Sequence, residues 1–167
     1  MEKNVGYVAI EFDDVSKREV ANWASQISEG DLVTTAIDGK IEGGNVTDKL
    51  HLTLFYGLDE NAINQGELSD FISMLPKPAV HVTGVSAFLQ DAFACKTLYL
   101  EVTDDLGELQ SIHERLKDFS HFSKYQEHNY KPHITIAYVI TEFDVNSLTN
   151  DFPKNLFVKA VTHFKKL

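Results

Sequence analysis

Two short segments carry residue types suited to moving protons and holding anions: His51-Leu52-Thr53 and His133-Ile134-Thr135. Each lies in an apolar run, 50–56 and 133–140, that reads as a β-strand. Alternate residues of a strand share a face, so His51, Thr53 and Phe55 are expected opposite Leu52, Leu54 and Tyr56. In the second segment, His133, Thr135 and Ala137 are expected opposite Ile134, Ile136 and Tyr138. Imidazoles titrate near neutrality, so one can take a proton from an attacking hydroxyl or water while the other protonates the departing oxygen. Two threonine hydroxyls can hold the non-bridging oxygens of a phosphate as charge builds on them. Such chemistry needs no metal or other cofactor, and no acidic cluster is evidently arranged for one. A zinc ion between the two histidines is the alternative, and it lacks an evident third protein ligand.

One His-x-Thr in a strand is ordinarily just a polar face. Here both copies sit at equivalent places in a longer repeat. Tyr7-Val8-Ala9-Ile10-Glu11 corresponds to Thr97-Leu98-Tyr99-Leu100-Glu101, and Val82–Phe88 corresponds to Val158–Phe164. Glu11 precedes His51 by 40 residues and Glu101 precedes His133 by 32, the difference falling in a Gly-rich stretch over 30–49. Three matches in one order point to an internal duplication. The elements that must position the motifs follow from periodicity. Strands are expected over 5–12, 80–88, 97–102 and 156–164. An amphipathic helix is expected over 16–27, with Ser16 as N-cap and Glu19 completing a capping box. Trp23 on that helix is expected to pack on the sheet. Further helices are expected over 60–75, ending before Pro76 and Pro78, and over 106–119. Leu50–Tyr56 is expected to be stopped by Gly57.

The fold class is therefore α+β, in a single domain over 1–167. Its expected form is bilobal and pseudo-twofold, with lobe repeats near 5–90 and 96–167. Each lobe would be a mainly antiparallel sheet with helices on its outer face, and a central cleft would bring the two motifs together.

Charge narrows the partners. The chain carries 15 basic and 25 acidic residues, a formal net charge of −10. A protein tracking a long nucleic-acid backbone needs a basic stripe, and none is visible, so no long duplex is expected as partner. A small nucleotide or oligonucleotide held in a pocket fits better. No stretch approaches the roughly 20 apolar residues that span a bilayer. The first residues lack the apolar core of a signal peptide, and the single Cys95 excludes an internal disulfide. A cytoplasmic setting is the expectation.

Several side chains are candidates for substrate contact. Tyr7 and Tyr99 could stack on bases if their strands border the cleft, and Phe55 could floor a base pocket, with ordinary packing as the competing reading for each. The segment 121–131 leads into the second motif and reads first as a solvated loop; the alternative is a lip over the ligand, with Tyr130 in contact and Lys131 or Lys124 offsetting phosphate charge. The Gly-rich stretch around Asp38-Gly39-Lys40 and Gly43-Gly44 could be a lid. His81, His113, His121, His128 and His163 lack the paired context and read as surface or structural.

His51-Leu52-Thr53-Leu54 and Pro132-His133-Ile134-Thr135-Ile136-Ala137 resemble the paired signatures of the 2H phosphoesterase superfamily. Through the repeat, the resemblance covers nearly the whole chain. It implies a bilobal fold, metal-independent cleavage, catalytic roles for His51 and His133, and phosphate contacts from Thr53 and Thr135. The group includes 2',3'-cyclic phosphodiesterases, 2',5'-oligoadenylate phosphodiesterases and phage proteins that destroy cyclic oligonucleotide defence signals. The chain is accordingly expected to cleave a small nucleotide. The alternatives are RNA-end processing or 2'-5' ligation, and a catalytically idle nucleotide-binding module.

Overall fold

A computed structural model describes residues 4–37, 40–90 and 94–166. Nine strands and three α-helices are described, in the order β1 (Val5–Phe12), α1 (Asp14–Ala24), β2 (Thr34–Ile37), β3 (Lys40–Gly43), β4 (His51–Asp59), α2 (Gln65–Ser73), β5 (Val80–Gln90), β6 (Cys95–Thr103), α3 (Glu108–Leu116), β7 (His133–Val139), β8 (Asn155–Leu156) and β9 (Val158–Lys166). The protein is mixed α/β with antiparallel pairing throughout its described sheets.

The sheets do not divide where the sequence repeat divides. One sheet runs β4-β1-β9 and the other β7-β6-β5-β8. The third strand of each half has crossed to the other half's sheet, so 5–90 and 96–167 are halves of the sequence and not of the sheets. Closure of a short connection explains one side of the exchange. β5 ends at Gln90 and β6 begins at Cys95, close enough in sequence for an antiparallel hairpin at small entropic cost. β9 then takes the edge of β1 that β5 leaves open, pairing from Val5↔Lys166 to Phe12↔Val158.

The apolar residues of both sheets form one core. Leu52, Leu54, Leu100, Ile134 and Ile136 are wholly buried together with Leu109 and Leu116 of α3. Burial of each such side chain contributes about 1.5–3 kcal/mol. α3 packs on β4, and β4 lies against β7, so the strands bearing the two motifs are neighbours. Trp23 is buried against the edge of Phe152, and its indole N–H donates to the Thr149 carbonyl at 3.2 Å.

Several boundaries differ from the expectation. α1 starts at Asp14, capped by Asp13, whose carboxylate accepts from the Ser16 N–H at 2.8 Å. Ser16 is buried instead, and its hydroxyl accepts from the Phe157 N–H, tying the helix start to β9's approach. α2 is shorter than 60–75 because Asn64 caps it from the side, and α3 is shorter than 106–119 because the Asp104 carboxylate binds the Leu109 and Gln110 N–H groups. β4 continues through Gly57, which takes φ +111, to Asp59. The described part of the Gly-rich stretch 30–49 is not all loop. It holds the β2–β3 hairpin, and its two flanks bond to the outer edge of β7 through Val33, Gly44 and Val46. Asp38 and Gly39, at the centre of the lid expectation, lie outside the described residues.

Candidate active site

Both motif strands contain the same irregularity just after the motif. In the β1–β4 pairing Ala9 is opposite Thr53 and Val8 opposite Phe55, which leaves Leu54 as an extra residue. In the β6–β7 pairing Tyr99 is opposite Thr135 and Leu98 opposite Ala137, which leaves Ile136 as the extra one. A β-bulge flips the facing of everything beyond it. Phe55 therefore turns into the core, 1% exposed against the rings of His113 and His121 yet on the lining of a hollow of about 570 Å³, and Tyr56 takes the outer face. Ala137 and Tyr138 exchange faces in the same way. This corrects the simple alternation expected for Phe55 and Ala137. The corrected pattern, half-buried His and Thr followed by two buried residues, is identical in the two strands.

The two imidazoles are held alike. His51 Nδ1 lies 2.9 Å from the Lys49 carbonyl, and His133 Nδ1 lies 3.0 Å from the Lys131 carbonyl. A carbonyl only accepts, so Nδ1 carries the proton in each ring and donates it. Nε2 is left as the nitrogen that takes up or releases a proton, and among the described residues it has no hydrogen-bond partner in either ring. Across the ladder, Glu11 is directly opposite His51 and Glu101 directly opposite His133. Glu11 also accepts from the Thr162 hydroxyl at 2.8 Å.

Two hollows flank these strands. The larger, about 570 Å³, is lined by Thr53, Phe88, Tyr99, Tyr130, Lys131 and His133 among others, and no aspartate or glutamate lines it. In a chain with 25 acidic residues that absence favours an anionic occupant. The volume lies in the range of nucleotide-sized sites. The smaller, about 360 Å³, opens beside His51 and is lined by Lys17, Lys49 and Lys159 together with Tyr7, Glu11 and Asp48. The larger hollow thus unites Thr53 of one motif with His133 of the other. His51 belongs to the smaller one, and Thr135, half-buried opposite Tyr99, lines neither.

The remaining candidates fall as follows. Tyr7 stacks with Tyr56 at 5.9 Å and with Phe164 at 5.0 Å and lines the hollow beside His51. Tyr99 is 8% exposed and lies 5.5 Å from the His133 ring. Tyr130 reaches across to the first motif, where its hydroxyl donates to the Thr53 carbonyl at 2.8 Å. Burial, and secondarily the charge of Asp104, push its ionisation above the usual tyrosine range, so it stays a donor. Lys124 lies over the ring of Tyr125. His81, His121 and His163 bond to Asn155, to the Phe119 carbonyl and to Glu60. His128 lines the larger hollow, which the sequence reading did not assign to it. Phe88, 42% exposed and 6.3 Å from His133, was missed because nothing in its own strand segment marks it. Lys49 was missed too, although the signal was present: it stands two residues before His51 as Lys131 stands before His133, making the repeat Lys-x-His-x-Thr. Among the described residues no group of three or more His, Cys, Asp or Glu side chains gathers as a metal site would require.

Comparison with known proteins gives the same direction. The family described as the 2'-5' RNA ligase superfamily matches residues 45–163, which include both motifs. No curated protein sequence matches the chain. Among solved structures, Escherichia coli LigT complexed with 3'-AMP is similar over 98% of this chain and 87% of its own, with TM-score 0.57 at 17% identity. The same protein complexed with phosphate gives 0.53 at 14% identity over 100% and 96%. The crystal structure of a phosphoesterase gives 0.51 at 18% identity over 98% and 87%. At such identities these likenesses establish the fold.

Proposed function

The chain belongs to the 2'-5' RNA ligase superfamily, and from that premise we propose that it is a metal-independent phosphodiesterase of small nucleotides, with His51 and His133 as its acid–base pair. The observation that carries the reading is the matched bonding of the two rings. Each Nδ1 proton is engaged by the carbonyl two residues upstream, which leaves both Nε2 atoms for the substrate. Binding a ligand needs no such duplication; moving one proton in and another out does.

In the proposed reaction one Nε2 removes the proton from an attacking hydroxyl and the other, protonated, donates to the oxygen that leaves. With the free vicinal ribose hydroxyl as nucleophile (the 2'-OH beside a 3',5' linkage, the 3'-OH beside a 2',5' linkage), a new P–O bond closes a 2',3'-cyclic phosphate and the old 5' ester oxygen departs with the donated proton. With water as nucleophile the same pair opens such a ring. Thr53 and Thr135 hold the non-bridging oxygens. The substrates that suit the carboxylate-free hollow are cyclic oligonucleotides, 2',5'-linked oligonucleotides and 2',3'-cyclic phosphates. That structures of similar fold were solved with 3'-AMP and with phosphate supports a small phosphorylated ligand.

The test is a panel of cyclic di- and trinucleotides, 2',5'-oligoadenylate and RNA with a 2',3'-cyclic end, assayed in EDTA. Cleavage is expected to persist in EDTA and to fall by about 10²–10⁴-fold in His51→Ala and in His133→Ala. Loss on chelation would favour the two-histidine metal reading. Cleavage that survives both substitutions, or none of any substrate, ends the proposal.

A further inference from the structure

A bulge exposes backbone groups that the ladder no longer satisfies, and both bulges here are capped from outside their sheets. At the first, the carbonyls of the consecutive residues Thr53 and Leu54 accept from side chains: Thr53 from the Tyr130 hydroxyl at 2.8 Å, Leu54 from His113 Nδ1 at 2.7 Å. At the second, the carbonyl of Ile136, the counterpart of Leu54, faces the outer edge of β7 and accepts from the Val46 N–H at 2.9 Å, in line with the Val33 and Gly44 bonds along that edge. Leaving one such buried carbonyl unpaired costs about 1–3 kcal/mol.

The donors come from particular places. Tyr130 lies three residues before His133, in the segment whose Lys131 carbonyl orients the His133 ring. Val46 lies five residues before His51, in the segment whose Lys49 carbonyl orients the His51 ring. The lead-in to each motif therefore holds the bulge on the other motif's strand. We infer that this reciprocal clamp sets the active-site geometry, with Tyr130 and His113 as its side-chain positioning residues for His51 and Thr53. The inference rests on the reading of those two groups as reacting groups.

The geometry of the pair supports a holding role. His113 comes from α3, is 6% exposed, and stacks on Tyr130 with ring centroids 4.2 Å apart and planes within 10°. Each ring thus fixes the other while each donates to an adjacent carbonyl. Thr53 is itself one of the two carbonyl residues, and His51 lies two positions before it on the same face. Relaxing the bulge would let both side chains shift, and reacting groups displaced by about 1 Å can lose roughly 10²-fold in rate.

The experiment uses Tyr130→Phe, which keeps the stacked ring and removes the donor, and a pair at His113. His113→Asn retains an N–H donor, and His113→Phe retains a ring without one. On a substrate cleaved by the wild type, kcat should fall about tenfold or more in Tyr130→Phe and His113→Phe, with KM within about twofold. His113→Asn should recover most of the loss, and thermal melts should show all three variants folded at assay temperature. A rise in KM alone would make Tyr130 a substrate contact and overturn the inference. Unchanged kcat, or equal losses in His113→Asn and His113→Phe, would reduce the contacts to packing. A second measurement needs no turnover: NMR of the Thr53 and Leu54 carbonyl carbons, the Thr53 methyl and the His51 ring. In Tyr130→Phe the Thr53 carbonyl should move and carry the Thr53 methyl and His51 ring signals with it. A moved carbonyl beside unmoved side chains overturns the clamp. Absence of cleavage by the wild type would sink the phosphodiesterase reading alone, and the NMR arm would still decide this one.

Discussion

Lys49 shows how much chemistry a single matched position can carry. It stands to His51 as Lys131 stands to His133, with its carbonyl on the ring and its exposed side chain beside the hollow that His51 lines. Lys17 and Lys159 border the same hollow, in a protein whose net charge is −10. On the proposed reading of His51, this local excess of positive charge, three lysines against Glu11 and Asp48, attracts a phosphorylated substrate against that overall field. Lys49→Ala is predicted to raise KM several-fold with kcat little changed, and to flatten the dependence of KM on salt between about 50 and 300 mM, over which the Debye length shortens about 2.5-fold. Steady-state kinetics at several salt concentrations would check it. At the same scale, Thr53→Val removes a hydroxyl expected on the transferring phosphate and should lower kcat by about 10²-fold. The corresponding change at Thr135 asks whether the two copies share the load, since Thr135 lines neither hollow.

At the scale of elements, β4 depends on what docks against its far end. Gly57 has φ +111, and a Cβ placed there would meet the Tyr125 ring at 2.8 Å. The Phe122 N–H bonds to the Gly57 carbonyl and the Gln126 side chain to the Tyr56 carbonyl, so 122–126 is strapped to the strand beyond the bulge. Gly57→Ala both strains the backbone and pushes this strap away. It should destabilise by about 1–3 kcal/mol in urea titration and raise KM, because the strap leads into residues that line the larger hollow. Asp104→Ala is a cleaner test of a helix terminus. It frees two N–H groups at the start of α3 and should cost about 0.5–2 kcal/mol.

For the whole molecule, acid sensitivity follows from His113. Burial lowers its pKa below the ordinary 6.5, partly offset by the bond to Leu54. The unfolded chain then binds a proton that the folded one refuses, so this group costs stability as pH falls below about 6.5. Above that pH both states are neutral at this residue and the effect is absent. His113→Asn, which cannot titrate, should lose less stability than the wild type between pH 7.5 and 5.5 (a window bracketing the ordinary histidine pKa of about 6.5) in parallel denaturation curves.

Local pattern was enough for much of this protein. The His-x-Thr pair, the strands and helices around it and the antiparallel α+β class are properties of residue type and spacing, which short-range sterics and hydrophobic periodicity translate directly. The family match over 45–163 includes both motifs. Other features depend on which distant segments meet. The capture of β5 by β6 and of β1 by β9 was invisible because pairing partners are chosen by connection length and open edges, not by the strand's own composition. The bulges at Leu54 and Ile136 were invisible because a strand's alternation breaks only against its partner's register. The His-x-Thr residues themselves were legible in the sequence; the contacts from Tyr130, His113 and Val46 that hold their strands belong to tertiary structure, because a bulge carbonyl can be satisfied only by a donor that folding brings from elsewhere.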